Sequence, residues 1–307
     1  IFQDWLDFTW MNTIKNTNST YKYWYITLQM PDAVKVLLFE KKKNGDFSEK
    51  QHGLTVVKRD RHVDSRLPAF IIKLSKGTEK KFYLRVNTEY PHFIKLYFGS
   101  AKTTFKRFVS SILWLRVFQV FILAILLYNF ILFLTVKDKS YLYYVLYYIF
   151  TLLYMECGNG SLNYHMNLSY KWHPYVILFL GSIGISFILL FAKEFLSLEK
   201  VKHKLSLVFY VLIGMHILII VSTIFINTYY ITQMYLYIGL ISYLFILFAA
   251  VYSMKLGISS AKYLVISWSL FIFFNILWIL SRLGIIPLYD IIDLGVIFSR
   301  ILELLLL

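Results

Sequence analysis

Four residues in the first third of the chain could hold an anionic or sugar-like molecule. Tyr83 and Arg85 alternate along one predicted strand, Lys73 lies on another, and Arg66 precedes it. An aromatic ring stacks on a flat ligand face, and a guanidinium grips an anion through two parallel hydrogen bonds. The same side chains also suit a solvated sheet face, with their stems on the sheet and their charges in water. A second set, Asn129, His216 and Asn275, sits inside strongly apolar sequence, with Gln119 and Gln233. Polar groups in such segments face the interior of a helix bundle. Isolated amides there join helices by hydrogen bonds, whereas ion or proton transport calls for paired carboxylates. Arg300 and Glu303, three residues apart, are spaced to pair on one helix face.

Other chemistry is not written in the chain. His52, His62, His92, His165, His173, His203 and His216 show no metal-ligand spacing with Cys or Glu. There is no Ser-His-Asp pattern and no phosphate-binding loop. The single cysteine, Cys157, excludes an internal disulfide. It lies in Glu156-Cys157-Gly158-Asn159-Gly160, which reads as a turn, with no activating partner in the sequence. The chain is therefore expected not to be an enzyme, with no cofactor and no metal.

The elements that carry these residues fall into two halves. Residues 1–107 contain no long apolar run, and residues 108–307 contain seven: 113–136, 141–155, 175–195, 205–226, 231–254, 263–280 and 291–307. A helix needs about 20 apolar residues to cross a bilayer. The runs predict seven membrane spans, the seventh cut by the chain end. Hydrophobic residues make up 58% of the chain and charged residues 16%, which fits a polytopic membrane protein rather than an ordinary soluble domain. The net charge of +15 is concentrated in the front half. A basic surface on a membrane stem, without a nucleic-acid motif, does not point to nucleic acid.

Loop charge sets the orientation. Lys137, Lys139, Lys193, Lys200, Lys202, Lys204, Lys255 and Lys262 fall on one side; Lys171 and Arg282 fall on the other. Cytoplasmic loops are enriched in Lys and Arg, so the front domain is expected outside and the C-terminus inside. Lys102, Lys106, Arg107 and Arg116 oppose this next to the first run, where a translocated domain overrides nearby charge.

Residues 21–98 read as strands. Trp24, Ile26, Leu28 and Met30 share one face; Phe70, Ile72 and Leu74, then Phe82, Leu84 and Val86, repeat the alternation. Asn44-Gly45 is a hairpin turn signal, and several short strands at this spacing predict a β-sandwich with Trp24 in its core.

The order of short motifs resembles that of the bacterial seven-transmembrane receptors with diverse intracellular signalling modules. Leu127-Tyr128-Asn129, the charged turn and aromatic run Lys137-Asp138-Lys139-Ser140-Tyr141-Leu142-Tyr143-Tyr144, Gly158-Asn159-Gly160, Leu283-Gly284-Ile285-Ile286-Pro287, Leu294-Gly295 and Glu303-Leu304 carry the resemblance behind. Arg66-Leu67-Pro68-Ala69-Phe70 and Phe82-Tyr83-Leu84-Arg85-Val86 resemble the family's second type of extracellular domain. The resemblance implies an N-terminal all-β jelly-roll-like sandwich, similar to carbohydrate-binding modules, followed by an all-α seven-transmembrane helix bundle. It also implies a sensor of the bacterial inner membrane whose output is a cytoplasmic signalling module. This sequence contains no such module and stops within its seventh run: either it is a fragment, or the natural product signals through partners.

The function expected is a receptor for an extracytoplasmic, carbohydrate-like ligand. The alternative is a transporter or channel with an accessory external domain, for which internal repeats or broken helices with paired charges would speak. The partners considered are membrane lipid, an extracellular carbohydrate or small molecule, a cytoplasmic signalling module and a second copy of the chain. The orientation is checked by single-cysteine labelling of intact cells in a Cys157→Ser background. A cysteine placed just after Thr88 should react with an impermeant maleimide and Ser260→Cys should not; labelling of the latter from outside reverses the assignment.

Overall fold

A computed structural model describes residues 6–17, 21–31, 33–41, 45–88, 95–166, 171–198, 203–282, 285–287 and 290–306. Asn44 of the predicted hairpin, Lys200 and Lys202 of the loop count, and the Leu283-Gly284 motif lie outside the described residues. The chain forms two compact units. One comprises Ile1–Trp114 and Glu156–His173; the other comprises Leu115–Met155 and Pro174–Leu307.

Among the described residues, the first unit has seven strands: β1 (Leu6–Lys15), β2 (Tyr23–Leu28), β3 (Lys35–Lys41), β4 (Phe47–His52), β5 (Ala69–Lys73), β6 (Glu79–Thr88) and β7 (Leu96–Ser100). They make two antiparallel sheets, ordered β1-β6-β3-β4 and β5-β2-β7. The alternation read from the sequence explains why the sheets meet. Ile26 and Leu28 of β2, Val36 and Leu38 of β3, Phe70 and Ile72 of β5, and Phe82, Leu84 and Val86 of β6 form one buried cluster. Each fully buried side chain of this kind contributes roughly 1.5–3 kcal/mol relative to exposure.

Local chemistry closes the loops. Gly45, in the turn between β3 and β4, sits at φ +91°, a conformation natural to glycine. Gly53, at φ +122°, packs so tightly that a Cβ would lie 2.6 Å from the Val34 carbonyl oxygen. At the sheet edges, Lys50 of β4 donates to the Ile71 carbonyl of β5 at 2.6 Å and pairs with Glu40 at 3.5 Å. The buried Asn16 side chain donates to the carbonyls of Tyr21 and Leu74 at 3.0 and 2.8 Å.

Two expectations are corrected here. Strand structure begins before residue 21: β1 pairs with β6 from Leu6↔Thr88 to Lys15↔Glu79. Trp24 is half-buried at the rim rather than inside, packed against the cluster and stacked on Phe98 at 5.0 Å between ring centroids. Phe98 lies on β7, the sheet's edge strand, and is itself exposed, while Tyr21 meets Trp24 edge-on at 6.2 Å.

All seven apolar runs are helical. The helices are α1 (Ala101–Val136), α2 (Lys139–Gly158), α3 (Ser161–Met166), α4 (His173–Phe195), α5 (His203–Ser222), α6 (Thr228–Lys255), α7 (Ala261–Arg282) and α8 (Asp290–Leu306). Among the described residues, α1, α4, α5, α6 and α7 are long and apolar enough to cross a membrane. The other two runs are helices of 20 residues, rich in tyrosine, and of 17 residues. α1 begins twelve residues before its apolar run, directly after β7, where the Ser100 hydroxyl accepts from the Thr103 amide at 3.3 Å. Asp138 caps α2, accepting from the Ser140 amide at 2.8 Å, and Asn227 caps α6, accepting from the Tyr229 amide at 2.9 Å.

Phe70, fully buried between the sheets, and Trp24, at their rim, should behave differently when truncated. Phe70→Ala should cost about 3–5 kcal/mol of β-domain stability, as large-to-small core changes do, and Trp24→Ala clearly less. Denaturant unfolding followed by tyrosine and tryptophan fluorescence checks the order; equal losses would put Trp24 back in the core.

Candidate functional site

The predicted ligand-binding residues separate into three places. Tyr83 and Arg85 lie on the outer face of the four-stranded sheet, since Phe82, Leu84 and Val86 between them face the core. Tyr83 stands opposite Phe39 in register and meets the Phe47 ring edge-on at 5.7 Å. Arg85 is exposed and stands opposite Leu37. Lys73 ends β5 in the other sheet, opposite Tyr23. The sheets pack core face to core face, so Lys73 points away from the Tyr83–Arg85 face and does not join it.

Arg66 does something else. Its Nη1 donates to the carbonyl oxygen of Asn159, just beyond α2, at 2.9 Å. Around this bond the β unit holds the segment that follows α2. The Tyr164 hydroxyl of α3 donates to Asp64 at 3.1 Å, and Lys58 lies 4.2 Å over the Tyr164 ring and 3.8 Å from Asp64. Gly160 turns the chain at φ +77°, where a Cβ would come within 2.8 Å of the Pro31 Cβ. A cavity of about 10 Å³, room for one water, is lined by Pro31, His52, Arg61, Arg66, Asn163 and Tyr164. His52 is buried beside it, its Nδ1 accepting from the Gly53 amide at 2.8 Å. Burial first, and then the nearby Arg61 charge, pull its pKa down to about 4.

The turn read at Glu156–Gly160 holds in part: α2 runs through Gly158, and Gly160 makes the turn into α3. Cys157, however, has a neighbour that the sequence did not reveal. Its Sγ lies 3.6 Å from His173 Nδ1, and Asn163 Nδ2 lies 2.6 Å from the same nitrogen. A catalytic relay needs the nucleophile and the orienting group on different ring nitrogens. These three buried residues instead tie α2, α3 and α4 together.

In the helical unit, the amides of Asn129 and Asn275 donate to the carbonyls one turn back in their own helices, Ile125 at 3.0 Å and Phe271 at 2.7 Å. Among the described residues, they make no helix-to-helix bond of the kind expected of them. His216 does: its Nε2 lies 3.1 Å from Ser242 Oγ, joining α5 to α6. The Ser242 proton goes to the Ile238 carbonyl at 2.8 Å, so the imidazole donates.

The largest polar cluster was missed by sequence reasoning as a unit. Arg300 of α8, 8% exposed, donates to the Tyr147 hydroxyl of α2 at 2.6 Å, and its guanidinium lies 4.5 Å over the Phe271 ring of α7. Glu303, 0% exposed, does not close a hydrogen bond with Arg300. The Tyr148 hydroxyl and the Trp268 indole N–H are turned toward its carboxylate without reaching hydrogen-bond geometry. The signal was present in two pieces, the i, i+3 spacing of Arg300 and Glu303 and the tyrosines of α2. Tyr144, Tyr147 and Tyr148 share one helix face by their spacing.

Two family models match the chain. Residues 111–307, about two thirds of it, match the one described as 7TM diverse intracellular signalling. Residues 3–100 match the one described as 7TMR-DISM extracellular 2. No curated protein and no solved structure matches.

His52 makes the β domain sensitive to acid. Its folded pKa of about 4 lies below the ordinary histidine value of 6.5, so the unfolded chain takes up a proton first as pH falls. The contribution is complete above pH 6.5 and lost progressively down to about pH 4. In a melting series over that window, His52→Gln should flatten the decline; an unchanged slope would assign the sensitivity to other groups.

Proposed function

From the premise that the chain belongs to the seven-transmembrane receptors with diverse intracellular signalling, with an extracellular domain of the second type, we propose that it senses a carbohydrate-like ligand outside a bacterial inner membrane. The signal passes to a cytoplasmic module. The observation that carries this reading is the clasp on Glu156–His173. That segment connects α2 to α4, yet it folds with the β unit through Arg66, Asp64 and Lys58. A ligand that favours one of two packings of the β unit thereby acts on the chain entering both helices.

The Tyr83–Arg85 face is the ligand surface in this reading. Phe39, Phe47 and Tyr83 supply rings on neighbouring strands, and Arg85 supplies the charged fork. The chain itself performs no catalysis. Its cysteine, histidine and asparagine neighbours converge on one nitrogen, and a receptor works by a shift between packings. The back-bonded Asn129 favours the receptor over a transporter, whose transport path would leave such a group open to cargo. The N-terminal domain is outside, the C-terminus is cytoplasmic, and two copies associate in the membrane.

The test uses the intact protein in nanodiscs with a glycan panel. Tyr83→Ala and Arg85→Ala should abolish binding and leave the melting temperature nearly unchanged. Arg66→Ala should keep binding but lose the ligand-induced change in hydrogen exchange of α2 and α4. Unaltered exchange on binding in the wild type would remove the clasp from the signalling route.

A further inference from the structure

The helical unit contains a partly open cavity of about 70 Å³, several times the roughly 10–15 Å³ that one water needs. It is lined by rings, including Tyr147, Tyr235 and Trp278, and by polar side chains, among them Thr151, Asn275 and Arg300. Glycines make the room. A Cβ on Gly181 would collide with the Tyr235 hydroxyl, so that ring sits where a side chain would otherwise be. Gly184, also in the wall, has only ordinary contacts within 4 Å, to Phe150 and Thr151, and leaves the space open.

We propose that this cavity is a second ligand site, within the bundle, for a small carboxylate carried on a flat apolar body. Arg300 sets the charge. A guanidinium has five N–H donors in a rigid fork matched to a carboxylate; Tyr147 takes one and Tyr243 engages another, which leaves donors for a ligand. A buried cation needs compensation. The acid that acts on Arg300 electrostatically is Glu303, whose two oxygens are buried without a hydrogen bond to it. The rings of Phe271 and Tyr147 supply part of the compensation, at 4.5 and 5.7 Å from the guanidinium carbon. A carboxylate in the cavity supplies the rest directly, and the aromatic wall takes its apolar body. Because Arg300 lies on α8, the helix nearest the C-terminus, occupancy bears on the same element that leads to the output. This last step rests on the receptor reading; the binding does not.

Benzoate is the probe, added to the full chain in detergent with native tryptophan fluorescence and thermal melting as readouts. It should raise the melting temperature by several degrees and quench fluorescence saturably, whereas benzyl alcohol and benzylamine of the same shape should do neither. Octanoate tests the other source of a carboxylate, an acyl chain; a larger shift with octanoate than with benzoate would refute the flat body. Arg300→Gln should lose the benzoate response. Should that variant not fold, Gly184→Leu decides, since it fills the cavity without touching Arg300; it should melt normally and ignore benzoate. No response in the wild type, an equal response to benzyl alcohol, or a response retained in Gly184→Leu overturns the site. None of these results bears on glycan binding outside, so the receptor reading stands or falls separately.

Discussion

In hydrocarbon a polar group must find its partner inside the protein, and that constraint orders the helical half of this molecule. Most of the side chains involved take the nearest solution, the carbonyl one turn back. Asn129, Asn275, Ser242, Ser269 and Thr232 all do so. Other groups reach across, among them Lys193 to Tyr210 at 2.7 Å, His216 to Ser242 at 3.1 Å and Arg300 to Tyr147 at 2.6 Å. These bonds join α4 to α5, α5 to α6 and α8 to α2. Apolar packing alone is poorly selective between helices in lipid, so such bonds help to choose neighbours.

The β unit meets the same demand with water at hand. Its polar side chains work at edges and loops, where a single well-placed donor fixes backbone that no ladder reaches. Asn16 ties two loops, Lys50 joins the edges of the two sheets, and Arg66 holds a peptide carbonyl 93 positions away. Each does its work by meeting a carbonyl. An apolar replacement would leave that acceptor without its donor, which costs more than the bond is worth when made.

The helical runs were legible because about 20 apolar residues are a strong signal. The early start of α1 was not, since Lys102, Lys106 and Arg107 continue the helix without apolar character. The strand alternation correctly separated core from outer positions on β2, β5 and β6. It was equally present in Leu6, Phe8, Trp10 and Ile14, where strand structure was not read. Alternation tells which face of a strand is covered but not which sheet the strand joins, so Lys73 was grouped with a face it does not share. Partners far apart in sequence leave no local trace. The Arg300–Tyr147 bond spans 153 positions, and the spacing of Arg300 to Glu303 drew attention to a closer pair that does not close.

The clasp around Gly160 has a consequence for how such a protein could change by recombination. The sensing module is not one contiguous stretch of gene: its second piece, Glu156–His173, lies between two helices of the other unit. Exchanging the front third of the coding sequence for that of a relative would bring a new Pro31, Asp64 and Arg66 environment against an unchanged Asn159, Gly160 and Tyr164. A Cβ at Gly160 has no room, and a changed loop opposite has no donor to offer. A replacement front segment therefore needs a matching Glu156–His173 segment, whereas substitutions on the outer face of the four-stranded sheet touch neither.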